Sequence, residues 1–151
     1  MQKEVFITTT AVYFPNSPIG NDQIEEYLGL ISGSHSRVTN IVLRQNGIKQ
    51  RFYAIDTNQT MTHTNADLAA QSIYSLLAKH PLPMQDLDLL ACATASPDQI
   101  LPSHASMVHG LLKNKPMEIY SSAGICLSCI QAFKIAYWSI LSGEKQNAVC
   151  S

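Results

Sequence analysis

The chain has 151 residues, of which 46% are hydrophobic and 14% are charged, and its formal net charge is -1 at pH 7. The length and composition fit one globular domain, while the lack of a basic cluster argues against nucleic-acid binding. No stretch is apolar for long enough to predict a membrane span, and no signal or transit pattern is evident, so we expect a cytoplasmic protein. The low charged fraction predicts that a partner subunit or a further domain covers much of the surface.

The N-terminal part of the chain predicts short elements separated by turns and loops. In chain order these are a β-branched strand at Val5–Val12, a helix at Gln23–Leu28, a helix at Thr39–Gln45 and an extended segment at Ile48–Ile55. Asn21 or Asp22 is expected to cap the first helix. Gly47 is expected to stop the second, because glycine tolerates the left-handed backbone of a helix end.

Helices and strands alternate over the rest of the chain. In order they are a helix from Asn65, a strand at Asp88–Ala93, a helix at Pro102–Leu112 with proline in its first position, a strand at Met117–Ser121, a helix at Leu127–Leu141 and a strand at Asn147–Cys150. The first of these strands is a short apolar run, as in a strand that is buried on both faces. The alternation predicts an α/β fold with a mixed or parallel sheet that helices cover on both faces.

The helix predicted at Leu127–Leu141 carries apolar residues on nearly every side of its axis. A helix of this kind must be buried inside a protein. A chain of 151 residues has little material to wrap it. The strand that follows reaches only Ser151, where a sheet is still being built, so we expect the intact gene product to be longer.

Cys126 is the candidate catalytic residue. It follows Ser121–Ile125, which connects a predicted buried strand to the start of the buried helix. A thiol at that place points at unpaired backbone N–H groups and at the positive end of the helix dipole, which favours the thiolate and activates the nucleophile. The small residues before it let the backbone turn tightly and let a substrate approach. The alternative is that Cys126 is an inert, small buried residue.

Cys126 and Cys129 also form a C-x-x-C pair, a pattern that occurs in redox and metal sites. A zinc ion would need two further ligands at suitable spacing. Cys92 and Cys150 each lie within a predicted strand and have no partner nearby in the sequence. We therefore expect reduced thiols, no metal and no cofactor.

The remaining titratable residues give no catalytic pattern. His104 and His109 are five residues apart on one predicted helix, which places them off a common face and makes a metal pair unexpected. Asp86 and Asp88 are interpreted as solvated turn residues that flank a strand. Neither pair is expected to act as an acid and a base.

Several segments, in order, resemble β-ketoacyl-[acyl-carrier-protein] synthase III and its relatives in the thiolase superfamily. They are Asn46–Arg51, similar to a Thr-Gly-Ile-x-x-Arg element, Asp86–Asp98, similar to D-(I/L)-D-L-(I/L)-x-x-A-T-x-(S/T)-P-D, and Pro102–Ala105, similar to P-S-x-A. The likeness covers essentially the whole chain, and the order and spacing of the segments carry it. It implies a thiolase-like α/β fold in which residues 1–151 form the N-terminal domain, one half of a layered α/β/α/β/α sandwich with a mixed sheet.

The resemblance places the family's nucleophile at Cys126, counted back from the Ser-Gly at the end of the nucleophile helix. Counting forward from Glu118 would instead put Ala123 in that position and make the protein a non-catalytic relative. We favour Cys126, because insertions fit in loops better than inside a buried helix. Leu101 matches the position that reaches into the neighbouring subunit's acyl pocket in dimeric relatives, which implies substrate binding and a homodimer.

The chain departs from the family pattern at two places. Leu127–Cys129 follows the candidate nucleophile where the family has a small residue and then glycine. Ile41 and Gln45 stand where the coenzyme A-using members carry a tryptophan and an arginine, with Arg44 one step out of register. An acyl-carrier protein is therefore favoured over acyl-coenzyme A as the thioester donor.

The resemblance implies an acyltransferase that condenses an acyl thioester with malonyl-acyl-carrier protein through a cysteine acyl-enzyme, in fatty-acid or polyketide-like biosynthesis. Known members take a histidine and an asparagine from a second half, which has no counterpart in this chain, so we expect this polypeptide alone to be inactive in condensation. Two alternatives remain open. One is a non-catalytic partner subunit of a condensing-enzyme heterodimer, and the other is a redox or zinc protein that uses the C-x-x-C pair.

Overall fold

A computed structural model describes residues 4–36 and 38–151 of the chain. Residues 4–13 together with Asn65–Ser151 form one compact unit, and Phe14–Thr64 form another. The candidate nucleophile and the segments on either side of it lie in the first unit. The prediction that residues 1–151 make up a single domain stays a prediction.

Short strands and helices follow one another along both units. In chain order they are β1 (Ile19–Gly20), α1 (Ile24–Leu28), α2 (Thr39–Asn46), β2 (Gln50–Arg51), α3 (Asn65–Leu77), β3 (Leu89–Thr94), α4 (His104–Leu112), β4 (Glu118–Ala123), α5 (Ser128–Leu141) and β5 (Ala148–Cys150), with 3-10 turns at Asn21–Gln23 and Met84–Asp86. In the part of the chain that the structure describes, no helix combines the length and apolarity that crossing a membrane requires.

The strands β3, β4 and β5 form a sheet in the order β4-β3-β5, and both pairs of neighbours run parallel. The central strand β3 is fully buried over Leu89–Cys92. The register places Cys92 opposite Ser121 and Leu90 opposite Val149. The sequence-based prediction of a strand buried on both faces is therefore confirmed at β3.

Helices cover both faces of this sheet. On one face α3 and α4 pack against β3 through a cluster of small and aliphatic side chains: Ala66, Ala70, Ile73, Leu90, Cys92, Ala105, Val108 and Leu112. On the other face α5 packs through Ser128, Ala132 and Ala136, which are buried. Small residues at this helix position let the backbone of α5 approach the sheet closely. The unit is thus a layered α/β/α structure, which confirms the predicted α/β fold.

The Phe14–Thr64 unit supplies an antiparallel pair of strands. β1 and β2 pair with Ile19 opposite Arg51, and the Arg51 guanidinium donates to Asn21 Oδ1 at 2.6 Å. The Asn21 side chain in turn donates to the carbonyl of Ile48 at 3.0 Å. α2 ends at Gly47, whose φ of 69° is left-handed, as the sequence predicted.

The strand predicted at Val5–Val12 is not formed. Residues 4–13 belong to no strand or helix, and residues 5–11 instead line an apolar cavity of about 550 Å³ together with side chains of α5 and β5. The prediction was wrong because β-branched composition reports a preference for extended backbone, whereas a strand also needs a hydrogen-bonded neighbour.

Two helix starts differ from the predictions. The N-cap residue of α4 is Ser103, whose hydroxyl accepts an amide of the first turn at 3.3 Å, so Pro102 lies outside the helix. Before α1, Gly20 is the N-cap residue of the 3-10 turn, and Asn21 and Asp22 lie inside that turn. The observed caps therefore lie one or two residues from the predicted positions, and α1 itself starts after Gln23, which makes no side-chain capping bond.

Asp88 holds the start of β5 beside the start of β3. Its Oδ2 accepts from the amides of Gln146 and Asn147 at 3.0 and 3.1 Å, and these bonds lower the pKa of the carboxyl. The Asn147 side chain also donates to the carbonyl of Asp86 at 3.1 Å. The two acidic residues that were interpreted as solvated turn residues therefore also tie two parallel strands together.

Candidate active site

The loop of residues 124–127 joins β4 to α5 and is fixed at both ends. Gly124 N donates to Thr94 O at 3.2 Å, which keeps β4 in register with β3 up to the loop. Ser128 N donates to Gly124 O at 3.0 Å and begins the helical turn. Two buried serines add further ties, since Ser122 Oγ donates to Ser128 O at 3.1 Å and Ser128 Oγ donates to Ile125 O at 3.2 Å. The loop is therefore held by hydrogen bonds rather than by large side chains.

Cys126 lies in this loop, two residues before the first residue of α5, and its side chain is exposed. The alternative that Cys126 is a small buried residue is therefore wrong. Leu127 is the N-cap residue of α5 and makes no side-chain capping bond. As a result, no N-cap side chain competes with a bound anion for the amide groups of the first helical turn.

The other cysteines differ in their surroundings. Cys129 is exposed on the first turn of α5, whereas Cys92 is buried and Cys150 is half-buried. Burial, with a smaller contribution from the nearby Cys150 thiol, raises the pKa of Cys92 to about 12, and burial raises the pKa of Cys150 to about 11. Both stay protonated near neutral pH and are poor nucleophiles. Within residues 4–36 and 38–151, no group of three or more His, Cys, Asp or Glu side chains is placed to hold a metal ion.

A polar network fixes the carboxyl end of β3, next to the loop that carries Cys126. Asp98 accepts the amides of Asn65 and Ala66 at 2.8 and 2.9 Å, so its carboxylate caps the start of α3. The Asn65 side chain donates to Thr94 Oγ1 at 2.6 Å and to Ser96 O at 2.7 Å. In the sequence Asp98 stands out only as the last residue of the Asp86–Asp98 motif. An aspartate that caps a helix from 32 residues away in the chain leaves no local signal at that helix.

His104 is the first residue of α4 and is 4% exposed. Its Nδ1 is buried and has no hydrogen-bond partner among the described residues. Burial lowers the pKa of His104, and the carboxylate of Asp98 partly opposes this effect. The ring is therefore held neutral in a place where an unpaired polar atom destabilises the fold. His109, which the sequence placed off the same face, has its Nε2 within 3.1 Å of Lys115 O.

Leu101 lies in the segment that leads from β3 to α4, and its side chain is 82% exposed. Its neighbour Ile100 is 87% exposed. Because β3 and β4 are parallel neighbours, the segments that follow them leave the same edge of the sheet. The structure therefore places both predicted site residues, Leu101 and Cys126, in segments at the carboxyl edge of the sheet.

The outward face of α5, the side away from its buried small residues, carries large apolar side chains that stay about half exposed, and two of them, Phe133 and Tyr137, line the cavity with residues 5–11. Its large side chains are Ile130, Phe133, Tyr137 and Trp138, each 45% or more exposed. The sequence predicted a helix buried on nearly every side, and the structure buries only the side toward the sheet. An apolar face of this size is typical of a contact surface.

Several known proteins are similar to this chain in sequence and in structure. No model of a known protein family matches the chain. A β-ketoacyl-[acyl-carrier-protein] synthase III of Deinococcus radiodurans is 25% identical over 147 residues, which are 97% of this chain and 40% of that protein. The crystal structure of 3-oxoacyl-[acyl-carrier-protein] synthase III from Aquifex aeolicus is 27% identical, with a TM-score of 0.74 over 93% of this chain and 42% of that one. The chain is similar in sequence and in structure to β-ketoacyl-[acyl-carrier-protein] synthase III enzymes.

This relationship confirms the resemblance inferred from the sequence motifs. A tetronic acid condensing enzyme is also similar in structure, with a TM-score of 0.80, 24% identity, and coverage of 94% of this chain and 43% of that one. The thiolase-like fold class is thereby confirmed. The chain spans about 40% of the length of the curated synthase III relatives that it matches.

Proposed function

We propose that Cys126 is the acyl-accepting nucleophile of a β-ketoacyl-[acyl-carrier-protein] synthase III-type condensing enzyme. The observation that carries this proposal is an exposed thiol in the loop that starts α5, at the carboxyl edge of a sheet shared with the synthase III relatives. The competing nucleophile position, Ala123, is the last residue of β4 and has no nucleophilic group. The proposal therefore assigns the acyl group to Cys126.

The proposed reaction has two steps. The thiolate of Cys126 attacks the carbonyl carbon of an acyl thioester, and the tetrahedral intermediate expels the carrier thiol and leaves the acyl group on Sγ. A malonyl-carrier-protein thioester then loses carbon dioxide, and its enolate attacks the acyl-cysteine carbonyl to form the carbon–carbon bond. This second attack releases the Cys126 thiolate. In this proposal the positive end of the α5 dipole stabilises the oxyanion of the first step.

The proposed donor is an acyl-carrier protein in preference to acyl-coenzyme A. In the relatives that use coenzyme A, the resemblance implies a tryptophan and an arginine at the positions where α2 carries Ile41 and Gln45. Ile41 is 57% exposed and offers no hydrogen-bonding side chain for an adenine or phosphate group. Leu101 is the proposed acyl-pocket residue, and its exposure leaves it free to reach a second subunit in a homodimer.

Acylation of the chain tests the proposal. The reduced chain is incubated with octanoyl-carrier protein and, separately, with octanoyl-coenzyme A, and intact mass and peptide mapping locate any octanoyl group. We expect one group on Cys126, faster transfer from the carrier protein, and loss of the signal in Cys126→Ala. Cys129→Ser is the matched control, because it removes an exposed thiol three residues away, and it should acylate like the parent chain.

Three outcomes would count against the proposal. Octanoyl transfer to Cys129 in place of Cys126 would show that Cys129 is the nucleophile. An equal rate of transfer to Cys126→Ala and to the parent chain would show that the labelling is unspecific. A folded protein, extended to include a second half, that never gains an octanoyl group would support the non-catalytic partner subunit. For the 151-residue chain itself we expect acylation without condensation, because the enolate needs donors beyond those of α5.

A further inference from the structure

Cys126 and Cys129 form a pair of exposed thiols on either side of the start of α5. The remaining two cysteines are shielded by burial, which raises the pKa of each. The four thiols therefore divide into two that are exposed and two whose pKa is raised by burial, Cys92 fully and Cys150 partly buried. The accessible pair includes the proposed nucleophile.

The backbone between the two exposed thiols is already turned like a helix. Ser128 N donates to Gly124 O at 3.0 Å, Gln131 N donates to Leu127 O at 3.1 Å, and Leu127 has φ of -86° and ψ of -23°. On such a backbone, residues three apart lie on the same side with Cβ atoms about 5–6 Å apart. A disulfide needs a Cβ separation of about 3.5–4.5 Å, so closure requires a movement of about 1–2 Å.

The structure can supply that movement on the loop side. Ile125 and Leu127 are 79% and 64% exposed, so no large buried side chain resists a shift of the loop. The shift must lengthen or break the hydrogen bond from Ser128 Oγ to Ile125 O, which is 3.2 Å long. Ser128 is 1% exposed and is tied to Ser122, which anchors the first turn of α5 to the sheet. Cys129 therefore stays in place on the helix while the loop brings Cys126 toward it.

We propose that Cys126 and Cys129 form a reversible disulfide that withdraws the nucleophile from acyl transfer. The oxidant is a small-molecule disulfide of the glutathione class. The thiolate of one cysteine attacks glutathione disulfide and releases one glutathione thiol. The thiolate of the other cysteine then attacks the protein sulfur of the mixed disulfide, forms the Cys126–Cys129 bond and releases the second glutathione thiol. Two protein thiols are oxidised, and one glutathione disulfide is reduced.

The consequence for acylation rests on the proposed function, whereas the disulfide itself does not. A sulfur in a disulfide is not a thiolate and does not attack a thioester, so the oxidised chain cannot accept an acyl group at Cys126. Reduction by thiols returns the nucleophile. The pair thus makes acyl transfer dependent on the thiol–disulfide balance around the protein.

Glutathione titration of the intact chain tests the disulfide. The reduced chain is equilibrated with glutathione buffers of increasing disulfide content, quenched with acid, blocked with N-ethylmaleimide and mapped by mass. We expect one intramolecular Cys126–Cys129 bond, full reversal by dithiothreitol, and no change at Cys92 or Cys150. Cys129→Ser lacks the second thiol and should accumulate a glutathione adduct at Cys126. No bond at any buffer composition, or a bond between two chains, would overturn the inference.

Octanoyl transfer measured on the same samples separates the two proposals. Oxidation should lower the transfer rate to Cys126 by more than about tenfold, and dithiothreitol should restore it. If the disulfide forms and neither redox state takes an octanoyl group, the proposed nucleophile fails while the disulfide stands. If the reduced chain is acylated and no disulfide forms, the redox inference fails while the nucleophile stands. Undiminished acylation of Cys126 in the cross-linked chain would also refute the inference.

Discussion

Replacing Asp98 with alanine tests whether the network at the end of β3 holds the loop of the candidate active site. Asp98 accepts the amides of Asn65 and Ala66, the first two residues of α3. Asn65 then bonds to the side chain of Thr94, and the carbonyl of Thr94 accepts from Gly124 at the start of the loop. Loss of the Asp98 carboxylate should therefore also affect the position of the loop, because these hydrogen bonds connect Asp98 to Gly124.

The magnitude follows from the contacts that are lost. A helix cap is worth about 0.5–2 kcal/mol, and a carboxylate at a helix N-terminus adds about 0.3–1 kcal/mol. Asp98→Ala removes both, so we expect the free energy of unfolding to fall by about 1–3 kcal/mol. Asp98→Asn keeps one of the two acceptor oxygens and loses the other acceptor and the charge, so it should also destabilise, but by less than Asp98→Ala.

The matched control is Asp56→Ala. Asp56 also accepts two backbone amides, from Asn58 and Thr60 at 2.8 and 2.9 Å, but it does so in an exposed loop outside any helix. Its loss should reduce the free energy of unfolding by less than about 1 kcal/mol.

Urea unfolding followed by circular dichroism measures both variants, and the rate of Cys126 alkylation in the native state reports on the loop. We expect the larger fall in urea midpoint for Asp98→Ala, and a changed alkylation rate for that variant and not for Asp56→Ala. Equal midpoints for the Asp98 and Asp56 variants would refute the capping argument. An unchanged alkylation rate, with the expected loss of stability, would show that the network does not position the loop.

Three further predictions concern buried thiols, a buried histidine and two glycines. At about pH 8, iodoacetamide should label only the two exposed thiols of the native chain. A pKa of about 12 for Cys92 and about 11 for Cys150 leaves only about 0.01% and 0.1% of these thiols as thiolate. Rapid labelling of all four thiols in the native chain would contradict this prediction. The lowered pKa of His104 means that the unfolded state binds the proton first as pH falls. Stability should therefore decrease as the pH falls below about 7, and His104→Leu should flatten that dependence in urea titrations. An unaltered pH dependence would count against the buried neutral ring. Gly47→Ala should destabilise the folded chain by about 1–2 kcal/mol, because the φ of Gly47 is 69°. Gly110→Ala should stabilise it by about 0.5–1 kcal/mol, because Gly110 lies in α4 and an added Cβ meets nothing within 4 Å. Thermal unfolding midpoints that shift in the same direction for both variants would refute the contrast.

The elements around the candidate site could be predicted from the sequence because their signals are local. The apolar run at β3 and the long apolar helix at α5 each fix their own type and approximate ends. The position of Cys126 between β4 and α5 follows from the strand predicted at Met117–Ser121 and the helix predicted at Leu127–Leu141. Its exposure does not, because exposure depends on which side of α5 the sheet covers.

The features that the sequence could not supply depend on contacts between distant residues. Val5–Val12 has the composition of a strand, but pairing depends on whether a neighbouring strand offers its edge. The cap that Asp98 gives to α3 and the burial of His104 also arise only when α3, α4 and β3 are packed together. The local sequence pattern does not predict these features, because the contacts that produce them are made by residues distant in the chain.

The exposure of the outward face of α5 is a physical reason to expect acylation of Cys126 without condensation in this chain. Cys126 is exposed at the start of a helix whose outward side chains, such as Phe133 and Tyr137, are about half exposed. A thiolate attacks a thioester readily in contact with water. An enolate and an oxyanion, in contrast, are stabilised strongly only by oriented donors in a site from which water is excluded. While the outward face of α5 is open, water competes for the amides of its first turn. Under the proposed function, condensation would therefore need a surface that covers α5 and adds donors beside Cys126, whereas acylation of Cys126 would need only the loop and the helix start.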